Sequence, residues 1–257
     1  MECFVKADKK YFPEYNWFEK AINYPYKAPT NSFTFKNGKF HQGIHISLKD
    51  RVPIISIGSN RSPYQLKNKF GLKENLCVTP AKLYNSVIVY AASMSAYGSI
   101  PATQWPCEGS VSDLNLLWLN QDQLQIMHLS EGLGIAYNYV ELEKDTVSIK
   151  DEDYSGPVFG YISTRGGYLF EGDLPVKLQD IKSNTNKFSS INEHEALNKL
   201  YLENSSGQNS LEIWLKKIIT NKSMRLSLID KMSKKSLLPN NVPWKVIEVK
   251  VIGNNIY

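Results

Sequence analysis

The sequence lacks the features that define secreted, membrane-spanning and disulfide-stapled proteins. Its 257 residues include three cysteines, Cys3, Cys77 and Cys107, and this odd, widely spaced set provides neither a closed disulfide framework nor a CxxC zinc site. No stretch approaches the roughly 18 apolar residues of a membrane helix, and charged residues interrupt the N-terminus where a signal peptide would be apolar. We therefore expect a cytoplasmic protein that does not enter the membrane.

The commonest catalytic motifs are also absent. The chain contains no GxSxG, GxxxxGK[ST], HExxH or GxGxxG motif. A metal site is not favoured either, because His41 and His45 would lie about 13 Å apart on a continuous strand. His128 and Glu131 are helical neighbours, but they supply only two ligands. The sequence thus predicts neither a metal nor any other cofactor.

Basic residues are concentrated in the C-terminal third. The segment from residue 177 contains 13 Lys and Arg against 7 Asp and Glu, whereas the first 176 residues contain 17 against 18. Helical periodicity near residues 211–218 would leave Lys216, Lys217 and Lys222 on the exposed side. Without an Arg-rich run or a ladder of basic and aromatic residues, nucleic-acid binding is not favoured, and a solvated basic face is predicted.

The pattern along the chain predicts an α+β protein in three parts. These are an aromatic-rich N-terminal extension over residues 1–50, a core over 51–176 and a helical, basic extension over 177–257. With 42% hydrophobic and 21% charged residues, the composition is that of a folded chain. The predicted elements are a hairpin turning at residues 37–38, strands at 52–57, 87–92, 113–119, 137–142 and 244–251, and helices at 63–70, capped by Ser62 and Gln65, and from Asn120 onward.

Two local features could form a chemical site. The strand at 52–57 ends in Gly58-Ser59-Asn60, and backbone amides between a strand and a helix can hold an oxyanion or a carboxylate. Glu131 ends the helical stripe of Leu124, Met127 and His128, so it is a carboxylate in apolar surroundings and a candidate proton acceptor. Spacing alone favours the plainer interpretation, a buried acid that Tyr137 or a backbone amide satisfies, beside a structural turn.

Five stretches carry a resemblance to the γ-glutamyl cyclotransferase-like family, over about residues 53–143. They are GSN (58–60), IPATQWP (100–106), GSV (109–111), LWLN (117–120) with Leu124, and EG (131–132) with Tyr137. The resemblance implies a mixed α/β core around a barrel-like sheet. It also implies that the glycine-serine loop holds the substrate and that Glu131 is the catalytic acid/base.

The resemblance implies an enzyme that closes a γ-glutamyl group to 5-oxoproline and releases an amine or amino acid, without a cofactor. The small-molecule substrate would contact Gly58, Ser59, Asn60 and Tyr137. The tyrosine that usually precedes the Gly-Ser pair is Ile57 here, which favours an alternative, a non-catalytic binding or scaffold protein with the same fold.

A second YGS sequence competes for the role of the binding loop. Tyr97-Gly98-Ser99 restores the family's letters upstream of the 100–106 stretch, although no capped helix follows it closely. Any role of the missing tyrosine ring in the 58–60 loop is either lost or supplied from elsewhere in the chain.

Overall fold

The computed structural model describes residues 10–149, 154–205 and 209–249, which form an α+β arrangement of one large mixed sheet with helices concentrated toward the C-terminus. The predicted α+β class and the helical C-terminal part are confirmed. No helix among the described residues is long and apolar enough to cross a bilayer. The helices are α1 (Trp17–Ile22), α2 (Pro63–Phe70), α3 (Gln121–Ser130), α4 (Glu193–Asn204), α5 (Leu211–Thr220) and α6 (Lys222–Lys234).

The large sheet is built around a long antiparallel pair, β4 and β5. The strands are β1 (Phe33–Lys36), β2 (Lys39–Gln42), β3 (Val52–Ser56), β4 (Leu76–Tyr90), β5 (Ala102–Leu119), β6 (Tyr137–Leu142), β7 (Val147–Ile149), β8 (Phe159–Ser163), β9 (Gly167–Tyr168), β10 (Lys177–Leu178), β11 (Ser190–Ile191), β12 (Ser236–Leu237) and β13 (Trp244–Val246). The strand order is β11-β10-β4-β5-β3-β8-β6-β13, with β1 and β7 also on β4 and β2 on β1. Among the described strands this path has two ends, so the barrel-like form implied by the resemblance is not shown.

The central strands are longer than the sequence predicts. The sequence predicts segments 87–92 and 113–119 as separate short strands, because polar residues and prolines interrupt the apolar pattern on either side. In the structure β4 continues through this stretch with a β-bulge between Tyr84 and Ser86, where Asn85 adopts a φ of 55°. The Asn85 side chain accepts a hydrogen bond from the Gly109 amide of the partner strand at 2.9 Å. The two strands therefore stay paired through a region that looks like a loop in the sequence.

Both faces of the sheet are buried. Neighbouring residues of β5 point to opposite sides, so Trp118 enters one apolar cluster and Leu117 enters another. The Trp118 cluster also takes in Ala21 from α1 and Trp214 from α5. Continuous burial explains why the run before residue 119 is apolar at nearly every position. The predicted three-part division stays a prediction, with residues of all three parts sharing one cluster.

The N-terminal hairpin has the predicted turn but a shorter second strand. Asn37 and Gly38 take φ values of 51° and 72°, as a tight hairpin requires. β2 ends at Gln42, and Gly43 turns the chain with a φ of 89°. The predicted separation of His41 and His45 is therefore wrong, because the turn brings their ring centroids to 5.7 Å.

Residues 211–234 of the C-terminal part form two helices, α5 and α6, where periodicity predicted one. Trp214, Leu215 and Ile218 face the core from α5 as predicted, and Lys216 and Lys217 are exposed. Lys222 instead begins α6, whose N-cap is Asn221. The final predicted strand, residues 244–251, is observed as β13 at 244–246, paired with β6, and its last two residues lie outside the described ranges.

A buried acid contacts the end of the loop that leads into β5. Glu193, the first residue of α4, is 1% exposed and accepts a hydrogen bond from the Ile100 amide at 2.6 Å through Oε1. Its Oε2 is buried without a hydrogen-bond partner among the described residues. Burial raises the pKa of Glu193 well above its ordinary value of 4.5.

This acid gives a testable pH dependence. Above pH 4.5 the unfolded chain releases the Glu193 proton while the folded chain retains it, so the free energy of unfolding falls as pH rises, by up to about 1.4 kcal/mol per pH unit. Glu193→Gln keeps an acceptor for the Ile100 amide and removes the titration. We expect the variant to gain stability relative to the native chain between pH 5 and 8 in urea unfolding. Parallel stability curves for the two proteins would contradict the assignment.

Candidate functional site

The α3 helix and the turn after it place Glu131. The helix begins after Asn120, as predicted, and Asn120 and Gln123 form a reciprocal capping box there. Met127 and His128, at 0% and 1% exposure, turn inward on the predicted stripe. Glu131 is the C-cap residue, where its amide bonds to the Met127 carbonyl at 2.9 Å. The carboxylate therefore leaves the end of a buried helical face at a fixed position.

The β3 strand and the turn after it place the Gly58-Ser59-Asn60 loop. Residues 59–61 form one 3-10 turn before α2 begins at Pro63. Gly58 is required by close packing, because a Cβ there would overlap the Tyr24 hydroxyl and lie 3.2 Å from its Cζ. The predicted side-chain cap on α2 is wrong, since Ser62 occupies the N-cap without a side-chain bond and its buried Oγ has no partner among the described residues.

All the residues predicted for the site line one cavity. Its volume is about 390 Å³, in the range of small-molecule pockets. The wall includes Gly58, Ser59, Asn60, Glu131 and Tyr137. The structure thus brings together a loop and a carboxylate that are separated by more than 70 residues in the chain.

Glu131 has two protein partners, so its expected apolar surroundings are wrong. The Asn60 side-chain amide donates to Glu131 Oε1 at 2.9 Å. Lys69, on the last turn of α2, forms an ion pair with the same oxygen. The Lys69 side chain is only 8% exposed and the Glu131 side chain only 14% exposed. The contact with Lys69 could not be predicted from the helical spacing around Glu131, because Lys69 belongs to another helix. The carboxylate is held by these partners yet still borders the cavity.

Tyrosine hydroxyls surround the loop. Burial, with a smaller contribution from Glu131, raises the pKa of Tyr97 above its ordinary value, and the neighbouring Ser59 and Ser95 side chains partly oppose this shift. Burial, followed by Glu131, likewise raises the pKa of Tyr137 well above its ordinary value. The Tyr137 hydroxyl donates to the Ala102 carbonyl at 3.0 Å. Both phenols are therefore neutral at physiological pH, and the Tyr137 hydroxyl acts as a donor rather than a base.

The second YGS sequence contributes its tyrosine to the same cavity. Tyr97 lines the wall beside Ser59. Ser99 is fully buried, and its hydroxyl donates to the Ala21 carbonyl at 3.1 Å. Gly98, at a φ of 89°, packs against Ile219 of α5. A tyrosine ring therefore stands near the Gly-Ser pair, although Ile57 occupies the position directly before it.

A basic wall of the cavity was not anticipated from the sequence. Arg165, Lys222 and Arg225 line it, and the last two come from α6. Arg225 Nη1 also donates to the carbonyls of Ile218 and Ile219, each at 3.0 Å, at the end of α5. A sequence signal for this wall exists, because an i, i+3, i+4, i+7 spacing places four residues on one stripe of a helix: Lys222, Arg225, Leu226 and Ile229. The charge pattern of this region instead led to the prediction of a solvated basic face.

Several solved structures resemble this chain in structure at low sequence identity. No protein-family model and no curated protein matches the sequence. A solved gamma-glutamyl cyclotransferase is 13% identical with a TM-score of 0.39, over 77% of this chain and 94% of that one. An uncharacterized protein from Homo sapiens is 14% identical with a TM-score of 0.38, over 78% and 95%. A protein from Arabidopsis thaliana is 16% identical with a TM-score of 0.36, over 46% and 74%.

Proposed function

We propose that the protein is a γ-glutamyl cyclotransferase-like enzyme that converts a γ-glutamyl compound to 5-oxoproline and releases an amine or amino acid. The observation that carries this proposal is the placement of Glu131 and the Gly58-Ser59-Asn60 loop on one cavity of about 390 Å³. The family resemblance of these same residues supplies the reaction. The proposed catalytic core is the predicted 51–176 part, completed by α6 of the C-terminal part.

In the proposed complex, the substrate's α-ammonium group lies at Glu131 and its carboxylate or carbonyl oxygen lies at the 58–60 loop. Glu131 accepts a proton from the ammonium, and the freed amine attacks the substrate's own γ-carbonyl carbon. A C–N bond forms and closes the five-membered lactam, and the original γ-amide C–N bond breaks. The attacking nitrogen loses two protons in all, the first to Glu131 before attack and the second as the ring closes. The leaving nitrogen takes one proton from Glu131 as its C–N bond breaks and takes up the second as a free amine to become an ammonium, so charge and protons balance.

This route places modest demands on the protein. The nucleophile belongs to the substrate, so the enzyme supplies orientation, charge stabilisation and one proton carrier. Asn60 and Lys69 fix the direction of the Glu131 carboxylate through the hydrogen bond and the ion pair. The proposal needs no serine or cysteine nucleophile and no cofactor, in accord with the missing motifs.

The ion pair favours a second candidate function, ligand binding without turnover. Lys69 competes for the same Glu131 oxygen that must accept a proton, and Ile57 stands where the resembling family has tyrosine. Under this alternative the protein keeps the pocket and serves as a binding or scaffold protein.

A panel assay separates the two functions. The protein is incubated with γ-glutamyl amino acids, γ-glutamyl amines and γ-glutamyl peptides, and 5-oxoproline is quantified by mass spectrometry. The enzyme proposal expects product from at least one compound at a rate proportional to protein concentration. Thermal stabilisation by such a compound without any product would support binding alone and contradict the proposed reaction.

A further inference from the structure

We propose that α6 forms the subsite for the part of the substrate beyond the γ-glutamyl group, and that Lys222 and Arg225 select a leaving amine that carries a carboxylate. This inference rests on the proposed function and deepens it by assigning the residues of this chain that set the specificity for the leaving group.

The first argument is the arrangement of α6 on the cavity. Lys222, Arg225, Leu226 and Ile229 follow i, i+3, i+4, i+7 spacing, and all four line the cavity wall. Other residues of the helix, Leu228 and Met232, pack into the core and fix its position. One stripe of α6 is thus presented to the ligand as a continuous surface.

The second argument is charge. Lys69 and Glu131 neutralise each other within the cavity. Arg165, Lys222 and Arg225 remain, and no carboxylate of residues 10–149, 154–205 or 209–249 forms an ion pair with any of them. The γ-glutamyl half of a substrate carries one carboxylate and one ammonium group, so it adds no net charge to this wall. A second carboxylate on the leaving amine therefore balances a wall that is otherwise in positive excess.

The third argument is the mixed character of the stripe. Leu226 is 49% exposed at the cavity wall and Ile229 is 8% exposed, so an apolar surface adjoins the two cations. Arg225 is anchored through Nη1 on the end of α5, which holds its guanidinium in place. A leaving amino acid with an aliphatic side chain would place its carboxylate on the cations and its side chain on Leu226 and Ile229.

The test uses two substrates that differ only by a carboxylate, γ-glutamyl-leucine and γ-glutamyl-3-methylbutylamine. The native protein is expected to prefer γ-glutamyl-leucine in kcat/KM by about tenfold. Lys222→Gln removes a cation from an exposed position without disturbing the α5 anchor. It should reduce this preference by roughly threefold to tenfold, through a higher KM for γ-glutamyl-leucine and an unchanged KM for the amine.

The matched control is Lys231→Gln, which removes an exposed cation of the same helix that does not line the cavity. Its preference should equal that of the native protein. Equal turnover of both substrates by the native protein, or an equal effect of the two variants, would overturn the subsite while leaving the proposed reaction intact. Absence of 5-oxoproline from both substrates and from the whole panel would overturn the proposed function itself.

Discussion

Glu131→Gln lowers 5-oxoproline release by about two to four orders of magnitude if Glu131 is the proton carrier. Glutamine keeps the shape of the side chain and an oxygen that can accept the Asn60 hydrogen bond. It cannot take the proton from the substrate's ammonium, so the nucleophilic amine does not form. Turnover under saturating substrate, measured beside the native protein, gives the effect directly.

The control for this variant concerns Lys69. Removing one partner of a largely buried ion pair leaves the other charge uncompensated and destabilises a protein by roughly 3–5 kcal/mol. Loss of activity could then reflect loss of fold. The double variant Lys69→Met with Glu131→Gln removes both charges, and we expect its melting temperature to lie closer to the native value while its turnover stays as low. Native-like turnover in either variant would reject the role of Glu131.

Gly58→Ala lowers both stability and turnover. The added Cβ would overlap the Tyr24 hydroxyl, which is held in place as the acceptor for the Ala102 amide at 2.9 Å. Overpacking of this kind costs about 1–3 kcal/mol, and for a chain of this size each kcal/mol lowers the melting temperature by roughly 2–4 °C. Because Gly58 belongs to the proposed substrate loop, the same displacement moves the loop away from the substrate.

A double-mutant cycle with Tyr24→Phe isolates the cause. The phenylalanine removes the oxygen that the new methyl group meets, at the cost of the acceptor for the Ala102 amide. Gly58→Ala should therefore be less destabilising in the Tyr24→Phe background, by roughly 0.5–3 kcal/mol. Additive losses in thermal unfolding would show that the clash with Tyr24 is not what makes Gly58 necessary.

The local pieces of the site were predictable from sequence because each depends on short-range rules. The Asn120 capping box and the apolar positions before Glu131 specify where α3 begins and which face it buries. The apolar run before Gly58 specifies a strand that ends at a turn. Their joint placement on one cavity follows from the resemblance rather than from spacing.

The partners of those pieces depend on tertiary packing. Lys69 reaches Glu131 from α2, and two of the three cations of the basic wall, Lys222 and Arg225, come from α6, about 90 residues after Glu131. No periodicity within one element reports a contact between two elements. The full length of β4 could not be predicted for a related reason. The bulge at Asn85 is stabilised by a hydrogen bond to the partner strand, and such a contact between strands leaves no local pattern in the sequence.

The most direct test of the proposed chemistry is turnover of a γ-glutamyl amino acid in water enriched in ¹⁸O, followed by mass spectrometry of the products. Intramolecular attack by the substrate's amine excludes water from the reaction, so 5-oxoproline should accumulate with no excess ¹⁸O beside one equivalent of the released amino acid. Glutamate carrying ¹⁸O in its γ-carboxyl group would mean that water is the nucleophile, and it would contradict cyclisation at this site.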